Sequence, residues 1–151
     1  AYIMDSILQD VMRKGTGVKA TRELKRADIR GKTGTTNDAD IWFSGYTPDL
    51  VATTWAGYDN NGSVGSREFG STTPIESWIE FMRSALPPES ETSSLAQPNG
   101  LVTVRIDPLT GLRAAQDDRA AIFEIFREEY APAPELAQKE DEKENTLQEI
   151  F

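Results

Sequence analysis

Histidine and cysteine are both missing from this 151-residue chain. Without histidine, the chain by itself has no Ser-His-Asp triad, no histidine general base and no HExxH zinc site. Without cysteine, thiol catalysis, thiolate metal ligation and disulfides are excluded as well. Any covalent chemistry carried by these residues therefore has to use serine, threonine, lysine, tyrosine or a carboxylate, and no metal site is expected.

Long apolar runs and an excess of basic residues are also lacking. No run approaches the ~18 apolar residues of a membrane-spanning helix, and no signal peptide opens the chain, so any membrane anchor is expected outside this segment. Sixteen lysines and arginines against 25 acidic residues leave a formal charge of −9. This charge, with no basic stripe, argues against a nucleic-acid partner. The length suits one domain or part of one.

A helix and a β-hairpin are predicted in the first half of the chain. Apolar residues at helical spacing predict a helix over 2–14, which is already under way at the first residue, as if a larger domain had been cut. Residues 15–26 are expected to be a connection that leads to a short run at 27–33. The segments 41–46 and 51–58 are aromatic and β-branched, which predicts an antiparallel hairpin with a Thr-Pro-Asp turn. Because both faces carry bulky groups, the hairpin is expected to be interior.

A second helix follows the hairpin. After a turn at 59–62, Thr73 is predicted as the N-cap, Pro74 as the first helical residue and Glu76 as the third. The apolar stripe that follows has helical spacing and ends at Pro87 and Pro88, because proline cannot continue a helix.

The last third of the chain changes in composition. A Ser/Thr/Pro-rich linker is followed by a strand that alternates around Val104, a turn at 107–111 and a short helix at 120–130. Acidic residues, proline and alanine dominate from 131 onward, which predicts a disordered tail. The predicted parts are 1–88, 89–100 (linker), 101–130 (small extension) and 131–151 (tail).

Lys32-Thr33-Gly34-Thr35-Thr36 is the segment that points to chemistry. It lies between a helix and two predicted strands, which favours an anion site on a strand. Side chains alternate along a strand, so Lys32 and Gly34 share one face while Thr33 and Thr35 share the other. A twist or bulge is therefore expected if all are to serve one ligand, and Gly34 is where the backbone distorts most easily.

Other patterns in this region have ordinary explanations. A phosphate-binding P-loop would need glycine where Arg26 stands, and Gly34 opposes the helix that the motif requires. Asp38, Asp40 and residues 59–61 lack EF-hand spacing and are interpreted as turn residues. The strand aromatics between Trp42 and Tyr58 are interpreted as packing residues, with a ligand groove as the alternative.

The surroundings of the Lys-Thr-Gly triplet resemble a known family. The run KTGTTNDADIWFSGYTPDLVATTWAGYDNN resembles the third active-site motif and following hairpin of class A penicillin-binding proteins. The similarity extends through GVKATRELKRADIRGKTGTTND, PIESWIEFMRSAL and PNGLVTVRIDPLTGLRA, over about residues 1–130. It implies an α+β fold, part of a penicillin-binding, serine-transpeptidase (β-lactamase-like) domain in which an antiparallel sheet packs against helices.

The resemblance also implies roles for individual residues. Lys32 would provide positive potential and assist proton transfer, and the Thr33 and Thr35 hydroxyls would bind a substrate or β-lactam carboxylate. The Thr35 backbone N–H would be one oxyanion-hole donor. Lys32 and Thr35 are thereby implied as catalytic residues, and Thr33, Gly34, Thr35 and Thr36 as substrate-binding residues.

One part of the family pattern is missing. The family acylates a serine in an SxxK motif and has a second SxN motif. No serine in this chain has lysine three residues on or asparagine two residues on. The nucleophile is therefore expected on polypeptide that precedes the chain, and the chain alone is expected to be inactive.

The resemblance implies the C-terminal portion of a bifunctional peptidoglycan synthase that also has a glycosyltransferase domain. Its expected ligands are D-Ala-D-Ala stem peptides and β-lactams, its transpeptidation needs no cofactor, and an activator lipoprotein is a candidate partner. The expected location is the periplasmic face of the bacterial inner membrane. Two alternatives stay open: a serine β-lactamase-like hydrolase, and a non-catalytic binding module in which residues 95–130 dock a partner.

Overall fold

The computed structural model of the protein describes residues 1–87 and 95–133. The chain divides into two units, Ala1–Ala96 and Gln97–Phe151. Within its described residues, the first unit combines three helices with a three-stranded antiparallel sheet of order β1-β2-β3. This confirms the predicted α+β class. The elements are α1 (Tyr2–Lys14), α2 (Val18–Leu24), β1 (Arg30–Thr36), β2 (Asp40–Tyr46), β3 (Val51–Gly57) and α3 (Thr73–Ala85).

The sheet is a regular meander joined by tight turns. Between β1 and β2, Asn37 and Asp38 have φ values of 44° and 57°, and the Ala39 N–H donates to the Thr36 carbonyl at 2.9 Å. Two positive φ values and this bond describe a type I′ turn, whose twist matches that of a hairpin. The predicted hairpin of β2 and β3 is confirmed, and its turn is closed by a 2.8 Å bond from the Thr47 N–H to the Leu50 carbonyl.

Only one face of this hairpin is buried within the described residues, so the prediction of an interior hairpin was wrong. Burial alternates along β2, with Ile41 and Phe43 inside. Trp42 and Trp55 lie on the other face with ring centroids 6.0 Å apart, and each is more than 40% exposed. Packing explains Phe43 but not these two residues, because bulk on a strand does not say whether its second face has a partner.

Helix α3 covers the buried face of the sheet. Trp78 is fully buried, its ring meets Phe43 edge-on at 5.1 Å, and its Nε1–H donates to the Ala52 carbonyl at 3.1 Å. The predicted helix is confirmed, but Thr72 and not Thr73 occupies the N-cap position, so Pro74 is the second helical residue. The core cluster of this unit is Met12, Ala20, Ile29, Phe43, Ile75, Trp78, Ile79 and Met82.

The segment predicted as a connection contains a helix. Helix α2 is only seven residues long and places the fully buried Ala20 in the core. The Thr21 hydroxyl donates to the Met12 carbonyl at 2.7 Å and ties α2 to the end of α1. A helix of two turns with one buried small residue has almost no apolar stripe, so its stability comes from tertiary packing rather than from a readable pattern.

A buried polar cluster joins α1 to the sheet. Asp5 accepts a 2.9 Å bond from Arg30 Nε and a 3.0 Å bond from the Tyr46 hydroxyl. Asp5 and Arg30 are both buried, so each charge depends on the other. This cluster holds the start of β1 against the helix.

The Tyr46 hydroxyl should make the free energy of unfolding depend on pH in the alkaline range. Burial first, and then the hydrogen bond and negative charge of Asp5, raise the pKa of Tyr46 above its ordinary value of 10.0. The stabilisation linked to this shift is fully present below pH 10 and is lost as the pH rises through the higher folded-state pKa. In chemical denaturation at increasing alkaline pH, Tyr46→Phe should lose stability less steeply than the parent. Tyr58→Phe, at a tyrosine that is 59% exposed, should follow the parent curve.

The described residues of the second unit contain a hairpin. Strands β4 (Leu101–Ile106) and β5 (Ile122–Arg127) pair antiparallel, and the turn after β4 is closed by a 2.9 Å bond from the Gly111 N–H to the Asp107 carbonyl. The predicted strand and turn are confirmed. The predicted helix at 120–130 was wrong, because its aromatic and β-branched residues pair with β4, and only Glu128–Tyr130 forms a 3-10 turn.

The predicted linker and tail lie largely outside the described residues. The predicted tail lies almost entirely at 134–151, and residues 89–94 make up half of the predicted linker; both stretches are outside the described residues. The predicted boundaries at 88, 100 and 130 stay predictions.

No helix in the described ranges is both long and apolar enough to cross a membrane.

Candidate functional site

The Lys-Thr-Gly segment lies on β1, at an edge of the sheet as described. Lys32, Thr35 and Thr36 are exposed, and Thr33 and Gly34 are half-buried. The segment is therefore accessible and extended, as a strand-borne site requires.

Strand β1 contains no bulge, so the prediction of a bulge in this strand was wrong. Its pairing with β2 runs without interruption from Arg30 to Thr36. The lysine side chain instead reaches around the strand: Lys32 Nζ donates to the Thr33 carbonyl at 2.9 Å and lies 3.3 Å from Thr33 Oγ1. The ammonium and a hydroxyl from the opposite face meet because the lysine side chain is long and flexible.

Thr16 is a member of this site that sequence reasoning missed. Its Oγ1 lies 3.0 Å from Thr33 Oγ1, across 17 positions of sequence. It stands in the loop between α1 and α2. The only signal in the sequence is that glycines flank it, which marks a tight loop and says nothing about what the loop approaches.

The Thr35 hydroxyl also has a partner from outside β1. The Gly70 N–H donates to Thr35 Oγ1 at 3.3 Å. Gly70 is buried so close to the sheet that a Cβ there would lie 2.1 Å from the Trp42 carbonyl oxygen and 2.8 Å from that of Gly34. Only glycine permits this approach.

The segment that carries Gly70 is held in place at both ends. The Val64 N–H donates to the Asp38 carbonyl at 2.7 Å, next to the β1–β2 turn. At the other end, Glu68 Oε2 accepts from the hydroxyls of Thr72 at 2.7 Å and Thr73 at 3.0 Å. These bonds, that from Thr72 above all, lower the pKa of Glu68, which favours the carboxylate that the network needs.

The charge at the site is uncompensated. Two other lysines of this unit have acidic partners: Lys14 pairs with Asp10 at 3.0 Å, and Lys19 is bonded to Glu76, which raises the pKa of Lys19. No carboxylate in the described part of the chain lies within ion-pair distance of Lys32 Nζ. An ammonium with two neighbouring hydroxyls is well suited to bind a carboxylate.

Asp38 and residues 59–61 lie in turns as predicted, but Asp40 does not: it is the first residue of β2 and accepts a 2.8 Å bond from Trp55 Nε1. Asn61, with a φ of 54°, donates its N–H to the Tyr58 carbonyl at 2.8 Å. Residues 1–87 and 95–133 contain no group of three or more acidic side chains placed to hold a metal ion.

Comparisons with known proteins identify the family of the chain. No protein-family model matches the chain. Penicillin-binding protein 1A of Pseudomonas aeruginosa is 48% identical over 133 residues, which cover 87% of this chain and 16% of that protein. Penicillin-binding protein 1A of Neisseria gonorrhoeae is 33% identical over an alignment that covers the whole chain and 22% of that protein.

The fold gives the same result. The crystal structure of penicillin-binding protein 1A from Haemophilus influenzae matches with a TM-score of 0.78 and 32% identity, over 88% of this chain and 21% of that one. The chain thus spans about a fifth of the length of the relatives it matches. By sequence and by fold, the chain belongs to the penicillin-binding protein 1A family.

Proposed function

We propose that the chain supplies the carboxylate-binding and oxyanion-binding wall of a serine D,D-transpeptidase that cross-links peptidoglycan stem peptides and is a target of β-lactams. The observation that carries the proposal is the uncompensated Lys32 ammonium on an exposed strand edge, joined to the Thr33 hydroxyl. Family membership supports the same chemistry.

The proposed ligand is the terminal carboxylate of a D-Ala-D-Ala peptide. Lys32 attracts it and assists proton transfer, and the Thr33 and Thr35 hydroxyls donate to it. The Thr35 N–H stabilises the oxyanion of the tetrahedral intermediate, and such a donor is worth about 3 kcal/mol of barrier in other acyl-transfer enzymes. Gly34 and Thr36 border the substrate on the same strand.

The nucleophile is a serine that is not among these 151 residues. Its Oγ attacks the carbonyl between the two D-alanines, the peptide C–N bond breaks, and the serine proton passes through the base to the departing D-Ala amine. An amine of a second stem peptide then attacks the ester carbonyl, and the serine regains a proton. Lysine of an SxxK motif, on the same missing part of the protein as the serine, is the proposed base.

The rest of the proposal concerns the complete protein. It is a bifunctional synthase with a glycosyltransferase domain at the periplasmic face of the inner membrane, an activator lipoprotein is a candidate partner, and transpeptidation uses no cofactor.

Labelling with a fluorescent penicillin tests the function. The complete protein should form a covalent adduct that unlabelled β-lactam prevents, and peptide mapping should place the label on a serine outside the present 151 residues. An adduct that lasts for hours supports a transpeptidase, whereas hydrolysis within seconds would indicate a β-lactamase-like enzyme. If no adduct forms, the interpretation that remains is the non-catalytic binding module.

A further inference from the structure

We propose that Thr16 is a positioning residue of the anion site: its hydroxyl donates to Thr33 Oγ1 and thereby directs the Thr33 proton to the bound carboxylate. This inference rests on the proposed function, and it adds a residue from outside the Lys-Thr-Gly strand.

The argument starts from the hydrogen-bonding capacity of one oxygen. A threonine hydroxyl has one proton and two acceptor positions, and a lysine ammonium only donates. Thr33 Oγ1 lies 3.3 Å from Lys32 Nζ and 3.0 Å from Thr16 Oγ1. When Lys32 takes one acceptor position and the Thr16 proton takes the other, the Thr33 proton has to point away from both.

With the opposite direction of the Thr16–Thr33 hydrogen bond, the Thr33 proton would not be available to a ligand. If Thr33 donated to Thr16, the hydroxyl next to the ammonium would have nothing to offer a carboxylate. Bonds to a charged acceptor are about twice as strong as neutral ones, so a bound carboxylate favours the arrangement in which Thr33 donates to it. Thr16 then has to be the donor within the pair.

The loop around Thr16 is built to hold this position. The Gly15 and Gly17 N–H groups both donate to the Val11 carbonyl, at 3.1 and 3.0 Å, which fixes the loop on the last turn of α1. A Cβ on Gly17 would lie 2.3 Å from Met12 Sδ, so the loop packs directly on the core. Thr16 itself is exposed and free to contact a ligand site.

The second hydroxyl of the site is arranged in the same way. One acceptor position of Thr35 Oγ1 is taken by the Gly70 N–H. Thr33 and Thr35 thus each have a partner from a different loop, and each is left with its proton for a ligand.

The test uses the complete protein, nucleophile included. Thr16→Val removes the hydroxyl at nearly constant shape, and Thr16→Ser keeps it. With a β-lactam that has a free carboxylate, Thr16→Val should lower the second-order acylation rate constant about three- to tenfold, the effect of one hydrogen bond. The rate constant of Thr16→Ser should stay within about twofold of that of the parent. With the methyl ester of the same β-lactam, which has no free carboxylate, Thr16→Val should also acylate within about twofold of the parent's rate with that ester.

Two further measurements separate positioning from other roles. Thr16→Val should not change the melting temperature, because the side chain is exposed. In a Thr33→Val background, it should have no further effect. Parent-like acylation by Thr16→Val, an equal loss with the ester, or a loss that persists without the Thr33 hydroxyl would each overturn the inference. If the parent protein itself formed no β-lactam adduct, the proposed function on which the inference rests would be wrong.

Discussion

Replacement of Lys32 by alanine should slow acylation of the complete protein by a β-lactam on the order of 10²- to 10³-fold. The structure gives two reasons. Lys32 Nζ is the charge at the site, with no carboxylate within ion-pair distance in the described residues, and it contacts the hydroxyl of Thr33 directly. The free energy of unfolding should change by less than about 0.5 kcal/mol, because the side chain is exposed and supports no core contact.

Matched variants separate a specific role from a loss of charge. Lys14→Ala removes the same charge from a side chain that is 64% exposed and pairs with Asp10, and it should acylate like the parent. Lys32→Arg keeps the charge but replaces a compact ammonium by a planar guanidinium, so it should recover only part of the rate. Stopped-flow acylation with a chromogenic β-lactam measures all three. Equal rates for Lys32→Ala and the parent would contradict the assigned role.

Replacement of Asp5 by alanine should have the largest effect on stability. Asp5 accepts from Arg30 at 2.9 Å and from Tyr46 at 3.0 Å, and its removal leaves a buried guanidinium without its counter-charge. Breaking a buried pair in this way costs about 3–5 kcal/mol. Because Arg30 is the first residue of β1, the loss should appear as faster hydrogen exchange of the β1 and β2 amides.

Helix α1 itself offers the control for this prediction. Asp10 pairs with Lys14 at 3.0 Å on the exposed face of the same helix. Exposed pairs at this spacing contribute about 0.3–0.5 kcal/mol, so Asp10→Ala should leave sheet exchange almost unchanged. Similar protection losses in Asp5→Ala and Asp10→Ala would show that the buried pair does not hold β1.

Much of the fold could be predicted wherever one face of an element is apolar. The stripe of α3 and the hairpin of β2 and β3 follow from residue periodicity, and their structures match. The short helix α2 and strand β5 were missed for opposite reasons. Helix α2 has too few buried residues to show a pattern, and the mostly apolar segment 122–126 suits a helix and a strand equally until its partner β4 is known.

The candidate site divides in the same way. Lys32, Thr33 and Thr35 could be proposed from the sequence because they are adjacent and share a strand. Thr16 and Gly70 could not, because their contacts with β1 span 17 and 35 positions and depend on how two loops pack.

The amino-acid sequence by itself determined which chemistry these 151 residues can supply: lysine and hydroxyl groups on a strand, with neither histidine nor cysteine and without an SxxK serine. Tertiary structure alone decided how these groups face each other. Strand alternation places Lys32 and Thr33 on opposite faces, and only the reach of the lysine side chain brings their polar atoms together. Which proton each hydroxyl offers depends on donors from distant loops, because a hydroxyl takes its orientation from its neighbours and not from its position in the chain.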